Sequence, residues 1–200
     1  PDVVSFNAAI SACEEDGRWR RALALFALMA EIDVAPDVVS CSSSVSAYAA
    51  GGCWQGALAL LALMPGLRVL PNTICCNAAI GACKGTRQWW LAVALLHRMP
   101  KTRTIPDVIS CNTAISACTG GQWQAALALV GSMPLTRLEP DVVGCNAVLG
   151  ACGSGGSWRL ALAVLRSMAL VRVTPDVISC SAALTVCEKG ASWQPALALL

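Results

Sequence analysis

The sequence predicts an all-α protein, an αα-hairpin repeat solenoid of about six units. Two residue types recur with a spacing of 34 or 35 residues. The first is a proline followed by Asp or Asn, at Pro1, Pro36, Pro71, Pro106, Pro140 and Pro175. The second is a tryptophan, at Trp19, Trp54, Trp89, Trp123, Trp158 and Trp193. Each unit also shows the apolar period of a helix twice, and two short helices must stack on neighbours to bury their apolar faces.

The first helix of a unit carries two stripes. Phe6, Ile10 and Cys13 stand at i, i+4 and i+7 and form the core stripe. A second stripe contains Asn7, one turn after the aliphatic Val4. Later units place a small amide or hydroxyl at the position of Asn7: Ser42, Asn77, Asn112, Asn146 and Ser181. Stacking would align these side chains as a ladder, which suits a row of similar ligands such as bases.

The second helix begins at the tryptophan, and its apolar run ends in methionine in the five complete units. A short turn containing Gly separates the two helices, as in "EEDGR". The Pro and the Asp or Asn that follow are typical of the entry and N-cap of the next helix. We therefore predict a single array with units at about 3–37, 38–72, 73–107, 108–141, 142–176 and 177–200, the last truncated. Pro195 falls in the first turn of the last predicted helix, where proline is tolerated.

Composition predicts a folded chain and no membrane-spanning helix. The residues are 56% hydrophobic and 13% charged, and mean hydropathy is +0.61. Each apolar run nevertheless breaks within about a dozen residues, short of the roughly 18 that a membrane span needs. Net charge is +2, but residues 38–106 carry six Lys or Arg and no acid. This pattern is typical either of a modest positive face for a polyanion or of ordinary solvated helix faces.

The twelve cysteines predict buried thiols rather than disulfides or a metal site. Four pairs stand seven apart, such as Cys111 and Cys118, which on a helix means about 10 Å of rise. Disulfides need Cα atoms within about 7 Å. His97 is the only histidine, and there is no CxxC pair, so zinc is not expected. No catalytic triad and no phosphate-binding loop is recognisable. We expect no cofactor, no small-molecule substrate and no enzymatic activity.

Units reading "PDVVSFNAAISAC" and then "WRRALALFALM" resemble pentatricopeptide repeats, a family that binds single-stranded RNA. The resemblance covers the whole chain, as five full units and most of a sixth. It implies a right-handed superhelix in which each repeat addresses one nucleotide. It also implies a chloroplast or mitochondrial protein that supports RNA processing, stability, editing or translation, with RNA-processing proteins as partners.

The resemblance assigns a reading pair to each repeat, formed by the polar residue of the first helix and the last residue of the unit. The pairs are Asn7 with Asp37, Ser42 with Asn72, Asn77 with Asp107, Asn112 with Asp141, and Asn146 with Asp176. Asn with Asp resembles the uracil reader and Ser with Asn the adenine reader, which implies a preference for U-A-U-U-U. Ser181 would begin a purine reader. The residue three before each reader would wedge beside the base: Val4, Val39, Ile74, Ile109, Val143 and Ile178.

Some features leave alternatives open. The Asp after each proline would cap the following helix with or without RNA. The family usually has Tyr or Phe just before the reading residue, but only Phe6 keeps it, and cysteine stands there in the other units. A protein-binding scaffold of the tetratricopeptide kind remains the alternative function. That alternative predicts groove positions that vary in charge and size, whereas the ladder here holds only Asn and Ser.

Overall fold

A computed structural model describes residues 1–15, 18–86, 88–155 and 157–189. Trp193 and Pro195 lie outside the described residues. The described part of the chain forms eleven α-helices and no strand. They are α1 (Val3–Glu15), α2 (Trp19–Glu31), α3 (Val38–Ala50), α4 (Trp54–Leu63), α5 (Thr73–Ala82), α6 (Trp89–Arg98), α7 (Val108–Ala117), α8 (Trp123–Ser132), α9 (Val142–Ser154), α10 (Trp158–Leu170) and α11 (Val177–Lys189). Within those ranges, none of the helices combines the length and the apolar character that crossing a bilayer requires.

The chain divides into two compact units, residues 1–83 with 90–106, and residues 84–89 with 107–200. In the first unit α1 contacts α3 and α3 contacts α5, while α2 packs against both α1 and α3. In the second unit α7, α9 and α11 contact one another in the same succession, and α8 and α10 pack beside them. The predicted all-α fold of stacked hairpins is therefore confirmed. The right-handed superhelix and the single array stay predictions.

The core repeats with the sequence. On the first helices the aliphatic residue at one equivalent position is buried in five repeats: Ile10, Val45, Ile80, Ile115 and Leu149. On the second helices the alanine three residues after the tryptophan that begins the helix is completely buried: Ala22, Ala57, Ala92, Ala126 and Ala161. Such small side chains let helices approach closely, and the methionine at or near the end of each second helix is also buried. The cysteines at the place of Phe6 are buried in repeats 2 to 5, so they substitute for an aromatic core residue.

The five described tryptophans that begin second helices are half-buried, and two of them lie against glycines of the next hairpin. A Cβ at Gly51 would stand 2.6 Å from Trp19 Cδ2, and one at Gly155 would stand 2.6 Å from Trp123 Cδ1. Only glycine permits this close approach. Trp19 and Trp123 therefore pack between successive hairpins. Trp90 breaks the pattern and is 53% exposed.

Every described junction between a second helix and the next repeat contains a left-handed residue that is not glycine. These residues have φ between 58° and 60°: Asp33, Arg68, Arg103, Arg137 and Arg172. In the junction after α4, the Arg68 N–H donates to the Pro65 carbonyl and the Val69 N–H to the Met64 carbonyl, the pattern of a Schellman motif. A left-handed residue other than glycine costs roughly 1–2 kcal/mol. Burial of the methionine before the turn offsets that cost, and in this junction Val69 packs against the buried cluster that contains Met64.

We expect the buried cysteines to resist alkylation in the native protein. Burial raises the pKa of Cys41 and of Cys118 to about 11, so at pH 8 only on the order of a thousandth of either thiol is thiolate. Iodoacetamide, followed by mass spectrometry, should modify the half-buried Cys13 and Cys53 first and Cys118 roughly a hundredfold more slowly. All should react alike in urea. Equal native rates for Cys118 and Cys53 would contradict the buried placement.

Candidate functional site

The two residues assigned as the reading pair of the first repeat are joined directly. Asn7 Nδ2 donates to both carboxylate oxygens of Asp37, at 3.1 and 3.2 Å. Asp37 is the N-cap of α3, where its Oδ1 also accepts from the backbone N–H groups of Val39 at 2.9 Å and Ser40 at 2.8 Å. The carboxylate therefore holds the amide of the preceding repeat while it caps its own helix. The capping role expected for this Asp and its pairing role coexist in one side chain.

A serine completes this arrangement. Ser40 Oγ lies 2.6 Å from Asn7 Oδ1 and 2.9 Å from Asp37 Oδ1. The amide is thus fixed at both ends, because Nδ2 faces the carboxylate and Oδ1 faces the hydroxyl. This serine was not predicted from the sequence. The signal that could have found it is the recurrence of Ser three residues after the Asp, in "PDVVS" and "PDVIS".

The fifth repeat reproduces the first. Asn146 Nδ2 donates to Asp176 Oδ1 at 3.2 Å, and Ser179 Oγ lies 2.6 Å from Asn146 Oδ1. Ser179 is completely buried, as Ser40 is. The same three residue types therefore build the same site at opposite ends of the described chain.

The fourth repeat keeps the pair but lacks the hydroxyl. Asn112 Nδ2 donates to Asp141 Oδ1 at 2.8 Å and Oδ2 at 3.0 Å. Gly144 stands where the other two repeats have serine, and its N–H donates to Asp141 Oδ1 at 2.8 Å. Asn112 is 8% exposed, and its Oδ1 is a buried acceptor with no donor.

Hydrogen bonds lower the pKa of the carboxyl group in the first and fifth repeats. Partial burial alone would raise the pKa of Asp37, but hydrogen bonds from the Ser40 backbone and hydroxyl, and from Asn7, outweigh it and lower the pKa. The hydrogen bonds from Ser179 and then Asn146 lower the pKa of Asp176 in the same way. Both groups are therefore ionised at neutral pH and act only as acceptors. An ionised acceptor holds the amide N–H more strongly than a neutral one would.

The second repeat, with Ser42 and Asn72, is built differently. Ser42 Oγ donates to the Val39 carbonyl of its own helix at 3.0 Å. Asn72 Oδ1 caps α5 by accepting from the Cys75 N–H at 2.9 Å. Both side chains are half-buried.

The remaining assigned readers are placed as follows. Asn77 is half-buried on α5, and Asp107 is the half-buried N-cap of α7 in the other compact unit. Ser181 is exposed on α11. Asn7, Ser42 and Asn77 thus stand on successive first helices of the first unit, and Asn112, Asn146 and Ser181 on those of the second.

The aliphatic residue three before each reader is exposed in all six repeats. Exposure runs from 48% at Val39 to 73% at Val4, and the others are Ile74, Ile109, Val143 and Ile178. Single exposed aliphatic residues are ordinary. Six at one position of the repeat, each one helical turn from a polar reader, form an apolar surface beside every site. Flat aromatic ligands would bury that surface.

Other candidate chemistry is sparse. His97 is exposed, and its Nδ1 lies 2.8 Å from the Val93 carbonyl of its own helix. Across residues 1–15, 18–86, 88–155 and 157–189, no three His, Cys, Asp or Glu side chains cluster closely enough to hold a metal ion.

Comparison with protein families agrees with this repeat structure. A family model described as PPR repeat matches residues 4–34, and one described as pentatricopeptide repeat domain matches residues 129–189. The chain contains pentatricopeptide repeats. Both the family and the repeated fold expected from the sequence are thereby confirmed. No curated protein matches this pentatricopeptide repeat chain in sequence.

Solved structures show the same fold. The pentatricopeptide repeat protein PPR10 in complex with an 18-nt psaJ RNA element matches 98% of this chain, with a TM-score of 0.83 and 22% identity. PPR10 from maize matches all of it with a TM-score of 0.59 and 19% identity. The PPR domain of Arabidopsis thaliana protein-only RNase P 1, in complex with tRNA, matches 78% of it and 82% of that chain, with a TM-score of 0.63 and 14% identity. This chain spans 29% of the PPR10 chain in the RNA complex.

Proposed function

We propose that this chain binds single-stranded RNA, with one base at each repeat and a preference for U-A-U-U-U from 5′ to 3′. The observation that carries the proposal is the amide held by a carboxylate beside an exposed aliphatic residue, as in Asn7, Asp37 and Val4. The solved relatives support it, since PPR10 is in complex with an RNA element and the PPR domain of the RNase P protein with tRNA.

The chemistry of the site matches a uracil edge. Uracil presents carbonyl acceptors and one N–H donor, and an amide offers both complementary groups. After the hydrogen bond to Asp37, Asn7 Nδ2 keeps a second N–H that can donate to a base. After the hydrogen bond from Ser40, Asn7 Oδ1 keeps a second lone pair that can accept from a base. Because the amide is fixed before binding, little conformational entropy is lost when the base arrives. The aliphatic neighbour then covers one face of the base.

In the second repeat a different edge is expected to be preferred. Neither Ser42 nor Asn72 supplies a carboxylate, and both are neutral groups that donate and accept. The change at both positions of one pair supports adenine as the base read there. The complete protein would act physically, by keeping a stretch of transcript single-stranded or by presenting it to an RNA-processing partner. We place that action in a chloroplast or mitochondrion, without catalysis by these repeats.

A binding titration tests the proposal. The chain is titrated with a fluorescent single-stranded RNA that contains UAUUU, with the same RNA in which A is replaced by U, and with a duplex of the first. We expect the first RNA to bind most tightly and replacement of A to weaken binding roughly threefold to tenfold, the value of one or two hydrogen bonds. Added salt should weaken all three complexes through release of counterions.

Equal affinity for the three RNAs would refute the proposal. Binding to none of them, together with capture of a defined peptide, would favour the protein-binding scaffold instead. The titration therefore separates the two function classes on one preparation of protein.

A further inference from the structure

The reading amide of a repeat lies close to the third residue of the first helix in the next repeat, and the identity of that residue differs between repeats. It is Ser40 for repeat 1, Ser179 for repeat 5 and Gly144 for repeat 4. The two serines are buried and hydrogen-bonded to the amide oxygen. The glycine has no side chain that could donate to that oxygen.

We propose that this residue is a further specificity-determining residue of each repeat, and that Gly144 makes repeat 4 a weaker reader than repeats 1 and 5. The inference rests on the proposed function, because it concerns how strictly each base is read. The residue acts through the reading amide and is therefore a positioning residue.

The geometry of repeat 4 shows an amide that occupies space which a serine would fill. A Cβ at position 144 would lie 2.5 Å from Asn112 Oδ1, far inside van der Waals contact. With any side chain there, Asn112 must stand further out. Its present position leaves it 8% exposed, whereas Asn7 and Asn146 are half-buried. Repeat 4 thus holds its reader withdrawn towards α9.

The withdrawn amide presents no accessible acceptor to a base. Asn112 Oδ1 is shielded from solvent and has no donor, whereas Asn112 Nδ2 is held by Asp141 in the same way as Asn7 Nδ2 is held by Asp37. Asn112 must therefore turn outwards before its amide meets a base, and this rearrangement takes free energy from binding. At repeats 1 and 5 the serine hydroxyl already holds the amide in its outer position. The contribution of base 4 to affinity is thereby reduced.

The inference is tested by exchanging single bases. In the wild-type chain, replacing U by C at base 1 should weaken binding roughly threefold to tenfold, and the same replacement at base 4 less than about twofold. Gly144→Ser should raise the discrimination at base 4 to the level of base 1 and leave base 1 unchanged. A merely structural effect would change the affinity for every RNA alike.

Variants at the first repeat give the reciprocal test and keep it decisive if Gly144→Ser does not fold. Ser40→Gly should lower the discrimination at base 1, and Ser40→Thr, which keeps the hydroxyl, should preserve it. Equal discrimination at bases 1 and 4 in the wild type would overturn the inference. So would unchanged discrimination at base 4 in a folded Gly144→Ser variant. In either case, selection of A at base 2 would leave the proposed function standing. Loss of selectivity at every base overturns both.

Discussion

Changing Ser42→Asn together with Asn72→Asp is expected to move the preference at the second base from adenine to uracil. The double variant recreates the side chains of Asn7 and Asp37, whose atoms lie 3.1 and 3.2 Å apart. The introduced carboxylate would cap α5 as the Asn72 amide does, since Asp and Asn are both good N-caps and the Cys75 N–H keeps its acceptor. We expect U over A at base 2 by roughly tenfold, the value of one to two hydrogen bonds. Titration with UAUUU and UUUUU measures the change.

The single variants are the matched controls. Ser42→Asn alone places an amide beside an amide, and Asn72→Asp alone places a carboxylate beside a hydroxyl, so neither forms the complete pair. Each should lower the preference for A without creating one for U. Adding Cys75→Ser to the double variant supplies the hydroxyl of the first repeat and should sharpen the new preference. A double variant that still selects A would show that these residues do not read the base.

Met64→Ala is expected to cost about 2–5 kcal/mol of unfolding free energy, as truncation of a fully buried methionine usually does. Met64 is completely buried and clusters with Cys41 and Cys75, and Phe26 and Val69 pack against the same cluster. These neighbours belong to consecutive hairpins, so the cavity would loosen the stacking between them. Urea denaturation followed by circular dichroism should show a lower midpoint.

Leu63→Ala, one residue earlier, is the control. Leu63 is 62% exposed, and its truncation should change the unfolding free energy by less than about 0.5 kcal/mol. Met64→Leu conserves volume and should cost less than about 1.5 kcal/mol. In a repeat array each hairpin is stabilised by its neighbours, so hydrogen exchange in the Met64→Ala variant should increase first in α3, α4 and α5. Equal midpoints for Met64→Ala and Leu63→Ala would refute this placement of the core.

Much of the fold follows from the sequence because the same few signals recur in every unit. The prolines, tryptophans and methionines each mark one place in a helical hairpin, and all five described second helices begin at the tryptophan. The junctions could not be predicted. Sequence rules expect glycine at a left-handed position after a helix, and Arg68 and Arg103 occupy it here. Tertiary packing of the buried methionine overrides that local preference.

The candidate site was likewise predictable from the sequence only in part. The Asn and Asp pairs were expected from the resemblance, and direct hydrogen bonds join three of them. Ser40 and Ser179 were missed because a serine three residues into a helix is an ordinary capping residue. The unsatisfied oxygen of Asn112 depends on the distance to Gly144, which no pattern of letters contains.

Asp37 both caps α3 and binds the amide of the preceding repeat. Under the proposed function, these two roles in one side chain restrict how such a protein can evolve new targets. Under the proposed function, a mutation at this position that alters recognition of RNA also alters the folding of the repeat that follows. Only residues that begin helices well remain acceptable, and the five positions here hold four Asp and one Asn. Under the proposed function, the set of residues available at this position for recognising RNA is therefore limited by the chain's own need to fold.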